Sequence, residues 1–334
     1  MRFFFATILA LSFLLPPPSW GRDGEGGRLP AVSVSAKRLA APAPLLNPPP
    51  PRSVEWGGRR FLEVAEAEDA RVVAVGGAVT EIVYALGEEA RLLAVDSTSL
   101  YPAATQELPN VGYMRQLSAE PILALGPDLV LAIADSGPPA ALAQIEDAGV
   151  PVVTVPDDYT PEGVLEKIDV IAAALGVEAK GRALRAEVAA ELAAVKAAFG
   201  DVGERPRVLF LLTISKGRTT VAAGRKTSAE GIIALAGGVN AIDGFESYKP
   251  LSPEAAVAAA PEVLLVTGRS LDLLGGMAGL LAIPEVALTP AAQNRRVVVM
   301  DTLLLLGFGP RTAEAAAKLG KALHPEIAVP AAAN

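Results

Sequence analysis

Cysteine is missing from all 334 residues, histidine occurs once, as His324, and aromatic side chains make up only 5%. Without cysteine there are no disulfides, thiolate metal sites, iron–sulfur clusters, cysteine nucleophiles or lipid-modified N-terminal cysteine. A single histidine near the C-terminus argues against a His-dependent triad or a multi-His zinc site. Basic runs are missing too: Lys+Arg 29 against Asp+Glu 37 leaves a net charge of −8, which argues against nucleic acid as a partner. No P-loop, no nucleophile elbow and no GxGxxG after the first strand is present, so an enzyme is not expected. What remains is a chain that is 51% hydrophobic and long enough for about two domains with cores of their own.

Residues 1–20 read as a secretory signal: Arg2 is the charged start, Phe3–Leu15 is apolar apart from Thr7 and Ser12, and Pro16–Pro18 breaks the run. The apolar run is too short for a bilayer, which needs about 20 residues. Export without a lipid anchor is the expectation, hence a free periplasmic protein. Residues 21–66 hold Pro42, Pro44 and Pro48–Pro51 and are expected to be an extended or disordered linker.

From Arg71 onward short β-branched runs alternate with helical stretches. Strands are expected at Arg71–Val75, Leu92–Val95, Leu129–Ala134 and Val152–Val155, with helices at Thr80–Leu86, after a Gly76–Gly77 turn, and Ala140–Ala148. Residues 162–199 are rich in Ala, Glu and Lys, and Glu178–Phe199 is long enough for one helix. The alternation restarts at Arg207–Leu212. The pattern predicts α/β architecture: two Rossmann-like lobes with central parallel sheets, at 67–160 and 204–327, linking helices at 161–203 that include one long helix, and a tail at 328–334. An internal repeat agrees. Leu117–Leu131 (LSAEPILALGPDLVL) and Leu251–Leu265 (LSPEAAVAAAPEVLL) share six of fifteen positions. In each copy Ser118 or Ser252 is expected to cap a helix whose first turn carries Glu120 or Glu254, and Pro127 or Pro261 ends it before a buried strand.

Ligands of open α/β sheets bind beyond the carboxyl ends of the strands, so two such lobes define a cleft. The loops expected there are Gly76–Thr80, Asp96–Leu100 and onward, Asp135–Pro139, Ser215–Arg225 and Gly268–Leu274. None pairs a nucleophile with a base. Of the five tyrosines, Tyr84 reads as core and Tyr159 as surface. Tyr101 sits in a loop before Pro102, and Tyr113 and Tyr248 precede the two repeated units.

RVVAVGGAVTEIVYALG, SLYP, LPNVGYMRQLSAEPILALGPDLVLA and NRRVVVMDTLLLLGFGPRT together resemble the periplasmic hemin-binding proteins of bacterial haem ABC importers, across about 71–325. VGYMRQLSAE is the most specific piece, and TEIVYALG is shared with cobalamin and siderophore binders, which are the alternative. The resemblance implies two α/β lobes joined by a rigid helix and a ferric haem b carried between them. It puts Tyr101 at the position of the iron-ligating tyrosine. A phenolate is a hard anionic donor suited to Fe(III). Met114 or Met277 could reach a haem, but a thioether suits ferric iron poorly, and no cleft histidine is available for a second haem. Relatives place an arginine at the ligating phenolate, for which Arg269 is the first candidate, with Arg115 and Lys249 for the propionates. Tyr113, Gly76 and Gly77 complete the expected pocket. The resemblance further implies a monomer that docks through Glu120 and Glu254 onto an inner-membrane permease dimer with its ATPase.

Overall fold

The computed structural model describes residues 53–56, 59–62, 70–213 and 220–327, with side chains at 70–212 and 220–327. The expected signal at 1–20, most of the expected linker and the expected tail at 328–334 lie outside the described residues. Within the stretch expected to be linker, β1 (Ser53–Trp56) and β2 (Arg59–Leu62) pair as an antiparallel hairpin. The sequence holds the local reason: β-favouring Val54, Trp56 and Phe61 stand on either side of a Gly-Gly pair.

The first lobe runs β3 (Val72–Val75), α1 (Gly77–Ala85), β4 (Leu92–Val95), α2 (Ala119–Ala124), β5 (Leu129–Ile133), α3 (Pro139–Asp147) and β6 (Val152–Val155). Its sheet is wholly parallel, in the order β4-β3-β5-β6. Val72–Val75 and Leu129–Ile133 are buried at every position, as strands covered on both faces should be. Helix α1 starts at Gly77, three residues before the sequence suggests. The Asp96 carboxylate accepts from the Gly76 N–H (2.9 Å) and the Thr98 hydroxyl from the Gly77 N–H (3.0 Å), so a neighbouring loop supplies these partners.

Two packed helices make the crossing, α4 (Pro161–Ala174) and α5 (Glu178–Phe199), and α5 turns Val188, Leu192, Val195 and Phe199 inward at helical spacing. The second lobe runs β7 (Arg207–Thr213), β8 (Val221–Ala223), α6 (Ser228–Leu235), β9 (Val239–Asn240), β10 (Tyr248–Pro250), α7 (Pro253–Ala258), β11 (Val263–Thr267), α8 (Gly268–Leu273), α9 (Met277–Leu281), α10 (Pro284–Ala287), α11 (Pro290–Gln293), β12 (Val297–Met300), α12 (Thr302–Leu306) and α13 (Thr312–Leu323). Strands β9, β7, β11 and β12 are parallel, but β8 and β10 add an antiparallel edge, so this sheet is mixed.

Strand alternation divides the core. Val208, Phe210, Val263 and Leu265 join a cluster that runs through α4 and α5 into the first lobe. Leu209, Leu211, Leu264 and Val266 face a separate cluster under α7, α9 and α10. One apolar core therefore spans both lobes. Each fully buried large side chain in it stabilises by about 1.5–3 kcal/mol.

The repeat holds beyond sequence. Gly126 (φ 62) and Ala260 (φ 44) end α2 and α7 in the same left-handed conformation. Asp128 then accepts from the Arg71 N–H at 2.8 Å, and Glu262 from the Arg207 N–H at 2.9 Å. The caps differ. The Ser252 hydroxyl accepts from the Ala255 N–H (3.2 Å), whereas Ser118 sits at the cap position without a side-chain bond.

Candidate functional site

The loop after β4 is built on one buried carboxylate. Besides Gly76, Asp96 accepts from the Thr98 N–H (3.0 Å), the Thr98 hydroxyl (2.8 Å) and the Ser99 hydroxyl (3.0 Å). A buried carboxylate is tolerated only with such a donor set. Ser99 also bonds Thr80 on α1 (2.7 Å), and Thr105 closes the loop onto the carbonyls of Ser99 (2.8 Å) and Pro102 (2.9 Å). Two residues beyond Ser99, Tyr101 projects from this fixed frame with 47% of its surface exposed.

Over its ring lies a guanidinium. Arg311, entering α13, stands 3.6 Å from the Tyr101 centroid and is paired with Glu81 on α1, its Nε donating to Oε2 at 3.2 Å. The pair joins chain positions 230 residues apart and links the two lobes. Burial pushes the Glu81 carboxyl above its ordinary value, against the opposing pull of Arg311.

Beside this pair opens a cleft of about 640 Å³, lined by residues just beyond strand ends on both lobes: Gly76, Ser97, Asp135, Asp157, Arg269 and Thr302. Gly76 has φ 113, and a Cβ there would stand 2.8 Å from Ile133. A Cβ on Gly77 would stand 2.7 Å from the Thr98 carbonyl and collide with Leu303 of the other lobe. Close packing therefore accounts for both glycines.

Three tyrosines line the cleft, Tyr113, Tyr159 and Tyr248. Tyr113, 40% exposed, accepts from Arg115 Nη1 at 2.9 Å. Tyr248 bonds Ser228 at 3.0 Å, and Tyr159 packs edge-on to Phe308 with centroids 5.5 Å apart. Burial pushes both the Tyr159 and the Tyr248 phenols upward, and Asp157 adds to the effect on Tyr159. Tyr159 is thus a cleft residue, which corrects its reading as surface. Asp157 and Tyr159, in the connection between β6 and α4, both line the cleft, and the chain bends at Tyr159–Thr160.

Of the residues expected from sequence, Gly76, Gly77, Tyr113, Arg115, Arg269 and Met114 line the cleft. Tyr101 follows lining residue Leu100 but is not itself part of the lining. Lys249 stays out because strand alternation sends its neighbour Tyr248 inward. Its ammonium lies over Phe245, 5.5 Å from the centroid. Met277 is also outside the lining. Glu120 and Glu254 are exposed in the first turns of α2 and α7, and the Ser252 hydroxyl and backbone N–H hold the Glu254 carboxyl below its ordinary value. His324 is buried, its Nε2 3.2 Å from the Gly237 carbonyl. Sequence reasoning missed Arg311, Glu81, Asp157 and the Thr302–Gly307 wall. The segment ending GFGPRT carried Arg311 in plain sight without a role.

Two α/β lobes with a cleft between their strand ends form an architecture suited to binding a ligand. The chain belongs to the periplasmic binding protein family, whose pattern matches residues 72–303. It is 43% identical to the periplasmic heme-binding protein RhuT from Roseiflexus sp. RS-1, with a TM-score of 0.74 over 77% of this chain and 98% of that one. It is 44% identical to the periplasmic heme-binding protein BhuT in complex with two hemes, with a TM-score of 0.71 over 76% and 99%. It is 29% identical to the vitamin B12-binding protein of Vibrio parahaemolyticus over 63% of this chain and 75% of that protein.

Proposed function

We propose that the protein captures ferric haem b in this cleft and delivers it to an inner-membrane ABC importer, acting as a periplasmic carrier and not as an enzyme. The observation that carries the reading is the Arg311 guanidinium 3.6 Å over the Tyr101 ring, on a loop fixed by Asp96. Ferric iron selects a phenolate, and a cation already in place complements that charge. Tyr101 is accordingly the proposed iron ligand. Tyr159 and Tyr248, whose phenols burial holds protonated, serve as hydrogen-bond donors. Arg115 with Tyr113, and Arg269, are the proposed partners of the propionates, while Gly76 and Gly77 bring backbone to the cleft surface. The identity above 40% to two heme-binding proteins, across nearly their whole lengths, supports haem over cobalamin. So does the cleft lining, which contains no tryptophan among the described residues.

In this reading residues 1–20 are a cleaved signal, no lipid anchor is added, and a monomer presents Glu120 and Glu254 to the two permease subunits. Absorption titration with hemin tests the core of it: a saturable Soret shift is expected. In Tyr101→Phe the spectrum changes and affinity falls on the order of a hundredfold. An unchanged spectrum removes Tyr101 as ligand, and preferential binding of cobalamin in competition replaces haem. Alanine at both Glu120 and Glu254 is expected to abolish stimulation of the reconstituted permease while hemin binding persists.

A further inference from the structure

Behind the cleft wall lies a charged side chain with no solvent contact. Lys167 on α4 is 0% exposed, its Nζ 2.6 Å from Asp157 Oδ1 and 3.2 Å from the Phe308 carbonyl oxygen. Asp157 comes from the first lobe, keeps 17% of its side chain exposed and lines the cleft, while Phe308 comes from the second lobe. The pair is costly to maintain. Burial lowers the lysine's proton affinity while Asp157 opposes it, and a buried ion pair gives little net stability over apolar packing. A fully buried ammonium inside an apolar core suggests a role beyond stability.

Among the described residues, the carboxylates in the cleft lining are Asp135 and Asp157. Asp135 acts electrostatically on Arg115, itself in the lining. Asp157 acts on the neighbouring Tyr159 phenol in the lining, and its ion-pair partner among the described residues, Lys167, sits behind the wall. In a chain of net charge −8, a bare carboxylate here would repel an anionic ligand. We propose that Lys167 is a specificity-determining residue: its buried ammonium neutralises Asp157 from behind, so that the cleft accepts a dianionic tetrapyrrole. The inference rests on the haem reading above and deepens it, since the charge of the cargo and not its iron is what Lys167 senses.

Hemin and hemin dimethyl ester, whose propionates are capped, separate this role from a structural one. Lys167→Met is expected to weaken hemin binding by roughly tenfold or more and to leave the ester nearly unaffected. Adding Asp157→Asn in the same chain restores hemin binding. Equal loss for both porphyrins, or no restoration, overturns the proposal. Should Lys167→Met fail to fold, Asp157→Asn alone decides: it is expected to tighten hemin selectively, and weakened hemin binding overturns the proposal. Wild-type protein that takes up neither porphyrin overturns the haem reading and this inference with it. Wild-type protein that binds both, with variants unchanged, overturns only the inference.

Discussion

In the first lobe Asp128 accepts the backbone N–H of Arg71 across the start of β3. In the second lobe Glu262 does the same for Arg207 at the start of β7. The two lobes share that helix-to-strand unit, down to the left-handed residue that ends each helix. Beyond the strand ends they part. The first lobe invests a buried carboxylate, Asp96, in freezing one loop, and from it Tyr101 projects. In the second lobe, the turn after β11 is held by hydroxyls instead: Thr267 accepts from the Ser270 N–H at 3.2 Å, and the Ser270 hydroxyl lies 3.0 Å from Thr267 and 3.3 Å from the Leu212 carbonyl. From elsewhere in the second lobe, Arg311 reaches across to Glu81 and the Tyr101 ring. Duplicated units thus supply the frame, and unlike elements supply a fixed phenol on one side and a Glu81-paired guanidinium on the other.

The contrast can be broken by mutation. Asp96→Ala orphans several buried donors at once and is expected to cost about 3 kcal/mol in chemical denaturation, against about 1 kcal/mol for Thr267→Ala. Equal costs would mean that the two loops are held alike. Next in size, Arg311→Met is expected to weaken hemin about tenfold, with the ligand-to-iron spectrum retained, because a supporting group is lost and not the ligand. A spectrum like that of Tyr101→Phe would place the arginine at the iron instead.

A smaller effect is read as a slope with pH. Burial raises the folded pKa of Glu81 above 4.5. The neutral carboxyl is therefore favoured on folding, and its contribution is complete below about pH 4.5. It is lost as pH rises through the folded value. Relative to Glu81→Gln, the wild type should be most stable at low pH and lose ground toward neutrality, as thermal melts at several pH values would show. The opposite slope would mean that Arg311 outweighs burial. Smallest of all, Ser252→Ala should cost about 0.5–1 kcal/mol and Ser118→Ala close to nothing, since only Ser252 makes its cap bond.

Much of the fold is legible because it is local. Runs such as Val72–Val75 and Leu129–Ile133 can only be strands covered on both faces, and the 22-residue helix Glu178–Phe199 shows its inward stripe in its spacing. The antiparallel edge of the second sheet was hidden, because β8 and β10 have only three residues each. In the site, Gly76, Gly77 and Arg269 were legible as residues at strand ends, whereas Tyr113 and Arg115 came from the resemblance. Tyr159 was not, since acidic neighbours look like surface until the chain's bend turns the ring against Phe308.

By itself the sequence excluded thiol chemistry, argued against multi-histidine and nucleic-acid chemistry, and placed most of the strands, the long helix and the repeat, all properties of composition and short-range periodicity. The tertiary structure alone decided that Arg311 covers Tyr101, that Glu81 holds Arg311 from the other lobe, and that Lys167 stands behind Asp157. These meetings join distant parts of the chain through the packing of two lobes on one continuous core, and no local pattern encodes which partner a buried charge will find.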